Sequence, residues 1–253
     1  MTPEQLRSGD STEFVSRALA DRTRVLEVGC GRGHLACQLA ARGLEVTALD
    51  LQLRDLVAAP SVRFVESNFL DYDDLPFDAI VFVASLHHIS PLAHAIDRAA
   101  RLLRTDGLLV VDDFDLDAPD VDTLRWYYDT QELLTAAGCY PADHVDESHH
   151  DVVERWQHAH RHAHAVHTGD AMHAHHHAHA LHTGAAMHEA IAARFTIRDT
   201  HRLEYLYRYI AGGLAADERG AKIAAQVRAT ERRRIAEGAF QPVGLRIVAQ
   251  RCW

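Results

Sequence analysis

The chain has four cysteines, Cys30, Cys37, Cys139 and Cys252, and no Cys-x-x-Cys pair among them, so reduced thiols in a cytosol are the expectation. Its opening residues, MTPEQLRSGDSTEF, lack the apolar core of a secretory signal peptide. No apolar run approaches the roughly 20 residues that a membrane helix needs. Positive charge is also short. Asp and Glu number 36 against 26 Lys and Arg, a net charge of −10 with neutral histidine, so the basic footprint that phosphate neutralisation requires is missing. Together these absences predict a cytoplasmic protein that engages neither membrane nor nucleic acid. What the chain does have is an ordinary globular balance, 47% hydrophobic and 25% charged over 253 residues. That suits one large domain, or one domain carrying a sizeable insertion.

The first half alternates short apolar runs with helical patterns. Arg24 to Val28 ends in glycines, and Leu35, Leu39 and Ala40 then fall on one helical face. Leu44 to Leu49 is a second strand closed by Asp50, and Val62 to Val65 a third. Phe77 to Ala84, FDAIVFVA, is apolar almost throughout, as a parallel strand covered on both faces should be. Ala95, Ile96, Ala99, Leu102 and Leu103 recur at helical spacing up to an expected turn at Thr105-Asp106-Gly107, and Leu108 to Val111 is a fifth strand. Strands alternating with helices imply a parallel α/β sheet with right-handed crossovers. Ligands bind such sheets at the carboxyl ends of the strands, here the residues after Val28, Leu49, Val65, Ala84 and Val111.

After the first of these ends comes Glu27-Val28-Gly29-Cys30-Gly31-Arg32-Gly33, an E-x-G-x-G-x-G loop whose glycines let the backbone turn sharply and approach a ligand closely. A dinucleotide G-x-G-x-x-G fails because His34 stands at the third glycine, and a phosphate loop fails because no lysine follows. Asp50, seventeen positions after Gly33, offers a carboxylate suited to ribose hydroxyls. The third strand leads into Ser67-Asn68-Phe69-Leu70 and the fourth into Ala84-Ser85-Leu86-His87-His88-Ile89.

Taken in order and spacing, these four strand ends resemble the motifs of the class I S-adenosylmethionine-dependent methyltransferases of small-molecule type. The resemblance is close over Thr23 to Asp113. It implies S-adenosyl-L-methionine as cofactor, held by Glu27, Gly29, Gly31, Gly33, Asp50, Leu51, Asn68, Phe69 and Ser85. Asn68 departs from the family's usual Asp, although its amide oxygen can still accept a hydrogen bond from the adenine amino group. The resemblance also implies a Rossmann-like, mostly parallel seven-stranded α/β sheet with helices on both faces. Phe195 to Glu204 is the expected sixth strand, Glu218 to Glu237 a long helix, and Val243 to Ala249 the seventh strand, antiparallel to its neighbour. Tyr205, Tyr207 and Tyr209 alternate along the chain, a spacing that serves either core packing or a substrate face.

Two segments need their own reading. The acidic run Asp112 to Asp122 fails as a calcium loop, since Ala118 and Leu124 stand where glycine and a bidentate glutamate are required. Asp112 or Asp113 as Mg²⁺ ligands is one alternative, and a solvated charged loop before a helix at Thr123 to Ala137 is the preferred one. Fifteen of the 20 histidines lie between His144 and His188. His162 to His173 returns as His177 to His188 with a period of 15 and ten of twelve positions identical, a tandem duplication around H-x-H-x-x-H-T-G. Pairs such as His160 with His164, or His173 with His177, sit at i,i+4 and have the spacing to chelate a transition metal, but no native metal site is assigned.

The expected organisation is a donor-binding core over residues 1–120, a His-rich helical lid inserted after strand 5 over 121–194, and 195–253 completing the sheet. The copy His177 to His182 is expected to be the one that lines the active site. The expected function is methyl transfer to an oxygen, nitrogen or carbon atom of a small-molecule acceptor. Methyl transfer needs alignment first, and then a base where the nucleophile keeps its proton. His87 and His88, at a strand end, are the candidate catalytic residues. The rival expectation is a Zn²⁺- or Ni²⁺-binding protein on the same scaffold.

Overall fold

A computed structural model describes residues 2–57, 59–141, 151–162 and 181–251. The elements in chain order are α1 (Pro3–Leu19), β1 (Arg24–Val28), α2 (His34–Ala40), β2 (Glu45–Asp50), β3 (Val62–Glu66), β4 (Phe77–Val83), a 3-10 turn (Leu86–His88), α3 (Leu92–Leu102) and β5 (Leu103–Phe114). There follow α4 (Val121–Ala136), α5 (Val152–His162), α6 (Gly184–Ala192), β6 (Phe195–Leu203), α7 (Leu206–Gly213), α8 (Glu218–Ala236) and β7 (Gly244–Arg251). The chain divides into two compact units that interleave in sequence.

The first unit takes Ser8–Asp115, His182–Arg202 and Gly244–Trp253. It is built on a seven-stranded sheet of order β3-β2-β1-β4-β5-β7-β6. β1 to β5 pair in parallel and β7 runs antiparallel to β5, so the sheet is mixed rather than mostly parallel. The apolar continuity of β4 has a direct cause. Phe77, Ile80 and Phe82 enter one core with α3 and α6, while Ala79 and Val81 enter the other with α1 and α2, so both faces are covered. The expected turn at Thr105-Asp106-Gly107 is instead part of β5. The strand starts at Leu103, and the residues up to Leu108 are absorbed in a register irregularity opposite Phe77 and Ala79, with Asp106 at a φ of 65°.

The second unit takes Met1–Arg7, Leu116–Leu181 and Leu203–Val243 and contains α4, α5, α7 and α8. The three tyrosines that alternate in sequence do not lie on a strand: Tyr205 precedes α7, and Tyr207 and Tyr209 are within it. The start of α7 is held by one side chain. Glu231 of α8 accepts the N–H groups of Tyr205, Leu206 and Tyr207 at 2.8, 2.9 and 2.8 Å, donors that no intrahelical carbonyl can satisfy. Burial pushes its carboxyl up to about 7 despite these bonds. Among the described residues no helix is long and apolar enough to cross a membrane.

Candidate functional site

At the end of β1 the backbone takes three left-handed steps, with φ of 75° at Gly29, 52° at Gly31 and 78° at Gly33. Two of these positions also exclude a side chain by contact. A Cβ on Gly29 would stand 2.5 Å from Cβ of Ser85, and one on Gly33 would stand 2.5 Å from the ring of Phe64. Gly31 differs, because a Cβ there would meet nothing within 4 Å. The loop is therefore packed at both ends and open in the middle.

Glu27 and Asp50 frame it. The Gly31 N–H donates to Oδ2 of Asp50 at 2.8 Å, and the N–H groups of Gly29 and Cys30 donate to the Leu49 carbonyl, which ties the loop to the end of β2. Glu27 is 3% exposed. Burial raises its carboxyl to about 8, opposed by a hydrogen bond from the Ala36 backbone and reinforced by the charge of Asp50. Its Oε2 is buried without a hydrogen-bond partner among the described residues. Leu51, next to Asp50, is a large apolar side chain left 52% exposed.

At the end of β3, Asn68 is exposed, and its Oδ1 already accepts the Leu70 N–H at 3.0 Å. Phe69 is a core residue, packed edge-on against Phe82 at 5.4 Å. Ser85, after β4, donates its hydroxyl to the Val28 carbonyl at 2.6 Å and so braces the glycine loop from beneath.

The same strand end carries the two histidines, and they differ sharply. His87 is buried and His88 exposed, with their rings 3.7 Å apart. Nδ1 of His87 lies 2.7 Å from Oδ1 of Asp113, whose carboxylate also accepts the His87 and Phe114 backbone N–H groups at 3.3 and 2.9 Å. A carboxylate only accepts, so Nδ1 carries the proton of this bond and Nε2 is the basic nitrogen.

Asp113 was not legible as this partner. The acidic run beyond Val111 is not a solvated loop at its start: Asp112 and Asp113 are 0% exposed on β5 and Asp115 is 6% exposed. Asp112 pairs with Arg246 of β7, which also reaches Asp10 at 2.9 Å. Asp115 pairs with Arg202 at 2.7 Å and accepts the Gly184 N–H at 2.8 Å. Asp120 has a local duty, capping α4 through the Thr123 N–H.

The end of the histidine repeat reaches the same place. The His182 N–H donates to the His87 carbonyl at 2.9 Å, and its Nε2 donates to the Ile89 carbonyl at 3.1 Å. Thr183 caps α6, and a Cβ on Gly184 would stand 2.5 Å from Cγ of Asp115. H-T-G is thus an anchor, each residue with a separate structural reason. His164, His173, His177 and the rest of residues 163–180 lie outside the described residues. Among those described, no group of three or more His, Cys, Asp or Glu is arranged to hold a metal ion.

A family model described as a methyltransferase domain matches residues 4–181. The chain is 36% identical over 112 residues to the ubiquinone biosynthesis O-methyltransferase of Xylella fastidiosa (strain M23), a match covering 39% of this chain and 45% of that protein. It is 31% identical over 104 residues to the 27-O-demethylrifamycin SV methyltransferase of Amycolatopsis mediterranei (strain S699), covering 36% and 38%. The chain spans less than half the length of these curated relatives. Among solved structures, a geranyl diphosphate C-methyltransferase from Streptomyces coelicolor A3(2), in complex with Mg²⁺, geranyl-S-thiolodiphosphate and S-adenosyl-L-homocysteine, superposes with a TM-score of 0.54. That match covers 96% of this chain and 76% of the other at 14% identity, a likeness of fold alone.

Proposed function

The chain belongs to the methyltransferase-domain family, and from that premise we propose that it transfers a methyl group from S-adenosyl-L-methionine to a hydroxyl oxygen of a small-molecule acceptor. The residues at the strand ends suit that donor. The open side of Gly31 gives room for close approach, Asp50 supplies an acceptor for hydroxyl donors, and Glu27 holds a buried oxygen with no hydrogen bond of its own. In this reading Glu27, Gly29, Gly31, Gly33, Asp50, Leu51 and Asn68 hold the donor. Phe69 and Ser85 support the walls from within, since the first is core and the second is bonded to Val28. Bound S-adenosyl-L-methionine supplies a methyl group on a sulfonium centre, open to in-line displacement.

The observation that carries the reaction is the 2.7 Å bond between Nδ1 of His87 and Asp113, on the strand end that also braces the glycine loop through Ser85. Asp113 fixes the ring and its tautomer, which leaves Nε2 to take the acceptor's hydroxyl proton as the oxygen attacks. The buried carboxylate then faces the imidazolium that forms. Oxygen is favoured over nitrogen or carbon by the O-methyltransferase names of the relatives. Residues 1–120 act as the donor core, 121–194 as an insertion, and 195–253 complete the sheet. The reaction is placed in the cytoplasm, and the acidic balance of the chain supports an acceptor other than nucleic acid.

Calorimetry with S-adenosyl-L-methionine and S-adenosyl-L-homocysteine, followed by methyl-transfer assays on a panel of phenols and aliphatic alcohols, tests this. Binding in the micromolar range with turnover of a hydroxyl acceptor is expected. If neither nucleoside binds to the metal-stripped protein, the function is wrong.

A further inference from the structure

Arg155 of α5 is 6% exposed, and its guanidinium is committed on only one arm. Nη1 reaches Glu132 of α4 at 3.2 Å, and Cζ lies over the ring of Tyr128, 3.8 Å from its centroid. Nε and Nη2 are both buried and have no hydrogen-bond partner among the described residues. These two nitrogens form one edge of the guanidinium. Their N–H bonds run parallel, the fork that meets the two oxygens of a carboxylate or of a phosphate ester.

An orphaned edge of this kind is expensive. Each buried donor left unsatisfied loses its hydration without return, and the loss is larger for a charged group. A methionine would fill similar apolar space without that cost, so the fork is a cost that a ligand would repay. The stack on Tyr128 and the bond to Glu132 hold the plane in one orientation, which lowers the entropy lost on binding. Glu132 has its side chain 56% exposed, so the guanidinium sits one residue beneath the surface. Around it are rings: Tyr127 lies edge-on to Tyr128 at 5.0 Å and to Trp156 at 5.8 Å. Such surroundings favour an acid attached to an aromatic or apolar body.

We propose that the Nε/Nη2 edge of Arg155 is a binding site for the carboxylate or phosphate of an aromatic acid.

Benzoate and phenyl phosphate are the probes, titrated calorimetrically into the full chain and into Arg155→Met and Arg155→Lys, with thermal melts on each. The wild type is expected to bind at least one probe with 1:1 stoichiometry. Arg155→Met, which leaves Glu132 free to solvate, should weaken binding at least about tenfold, as the loss of a bidentate charged pair requires. Arg155→Lys keeps the charge but not the fork and should also lose most of the affinity, which decides the matter should the methionine variant not fold. Benzoate alone identifies a carboxylate, and phenyl phosphate alone a phosphate ester. Failure of the wild type to bind either probe overturns the site, as does undiminished binding by the lysine variant. S-adenosyl-L-homocysteine binding is measured in parallel. A chain that binds benzoate but no nucleoside keeps the anion site, whereas the reverse pattern refutes that site and leaves the proposed function standing.

Discussion

A single carboxylate decides what the histidine pair does. Asp113 accepts from Nδ1 of His87, from the His87 N–H and from the Phe114 N–H, so the ring is oriented partly by main chain. His87→Ala is therefore expected to lower kcat by about 10²- to 10⁴-fold while donor affinity stays close to wild type. Asp113→Asn should lower kcat at least about tenfold with the same donor affinity, since an amide does not face an imidazolium as a carboxylate does. Steady-state kinetics alongside calorimetry check both. If His87→Ala keeps normal turnover of the true acceptor, the base is elsewhere. Glu27 gives a prediction of another kind. Its carboxyl is held at about 8, above the ordinary 4.5, so the fold favours its neutral form. That stabilisation is complete below about 4.5 and is lost as pH rises through about 8. Glu27→Gln never ionises, so in ligand-free protein its Tm should gain on the wild type by several degrees between about pH 5 and 9, given roughly 2–4 °C per kcal/mol at this size. A gap that does not vary with pH would contradict the assignment.

The loop between β1 and α2 separates two costs that glycine substitutions usually mix. Gly31→Ala meets only the left-handed backbone penalty of about 1–2 kcal/mol, because nothing lies within 4 Å of the added methyl. It should keep most of its stability and lose donor affinity, because the methyl enters the space the donor would use. Gly29→Ala adds a 2.5 Å clash with Cβ of Ser85 to a similar backbone penalty, and its Tm should fall further than that of Gly31→Ala. Equal melting temperatures would show that Ser85 yields. These glycines were legible in the sequence because their spacing is local. So were β1, β2 and β4, whose burial on both faces writes itself as apolar runs. The start of β5 was not, since Thr105-Asp106-Gly107 has turn composition and sits in a register irregularity between the Leu103 and Leu108 pairings with β4. Nor was the burial of Asp112, Asp113 and Asp115. Their partners include Arg246, Arg202 and Gly184, brought in from elements far along the chain, and a run of acids alone reads as a surface. The start of α7 was not legible either, since it depends on Glu231 of α8; Tyr205 and Tyr207 are buried, in keeping with the core-packing alternative.

Across the whole molecule, the histidine excess reflects how the chain was lengthened. The segment 162–173 recurs at 177–188, and the structure engages the tail of the later copy, where His182, Thr183 and Gly184 each have a fixed task. Removing one 15-residue period, residues 162–176, joins Arg161 to His177 and restores the order that already follows Arg161. The shortened chain is expected to melt within a few degrees of the full one and to retain methyl transfer. A collapse of stability would mean that both copies bear on the fold. Duplication has a further consequence for the H-T-G anchor. His182 holds the His87 and Ile89 carbonyls, Thr183 caps α6 and Gly184 donates to Asp115. Of the two H-T-G triplets that the duplication leaves in the chain, His182-Thr183-Gly184 is the one whose replacement is expected to cost the fold.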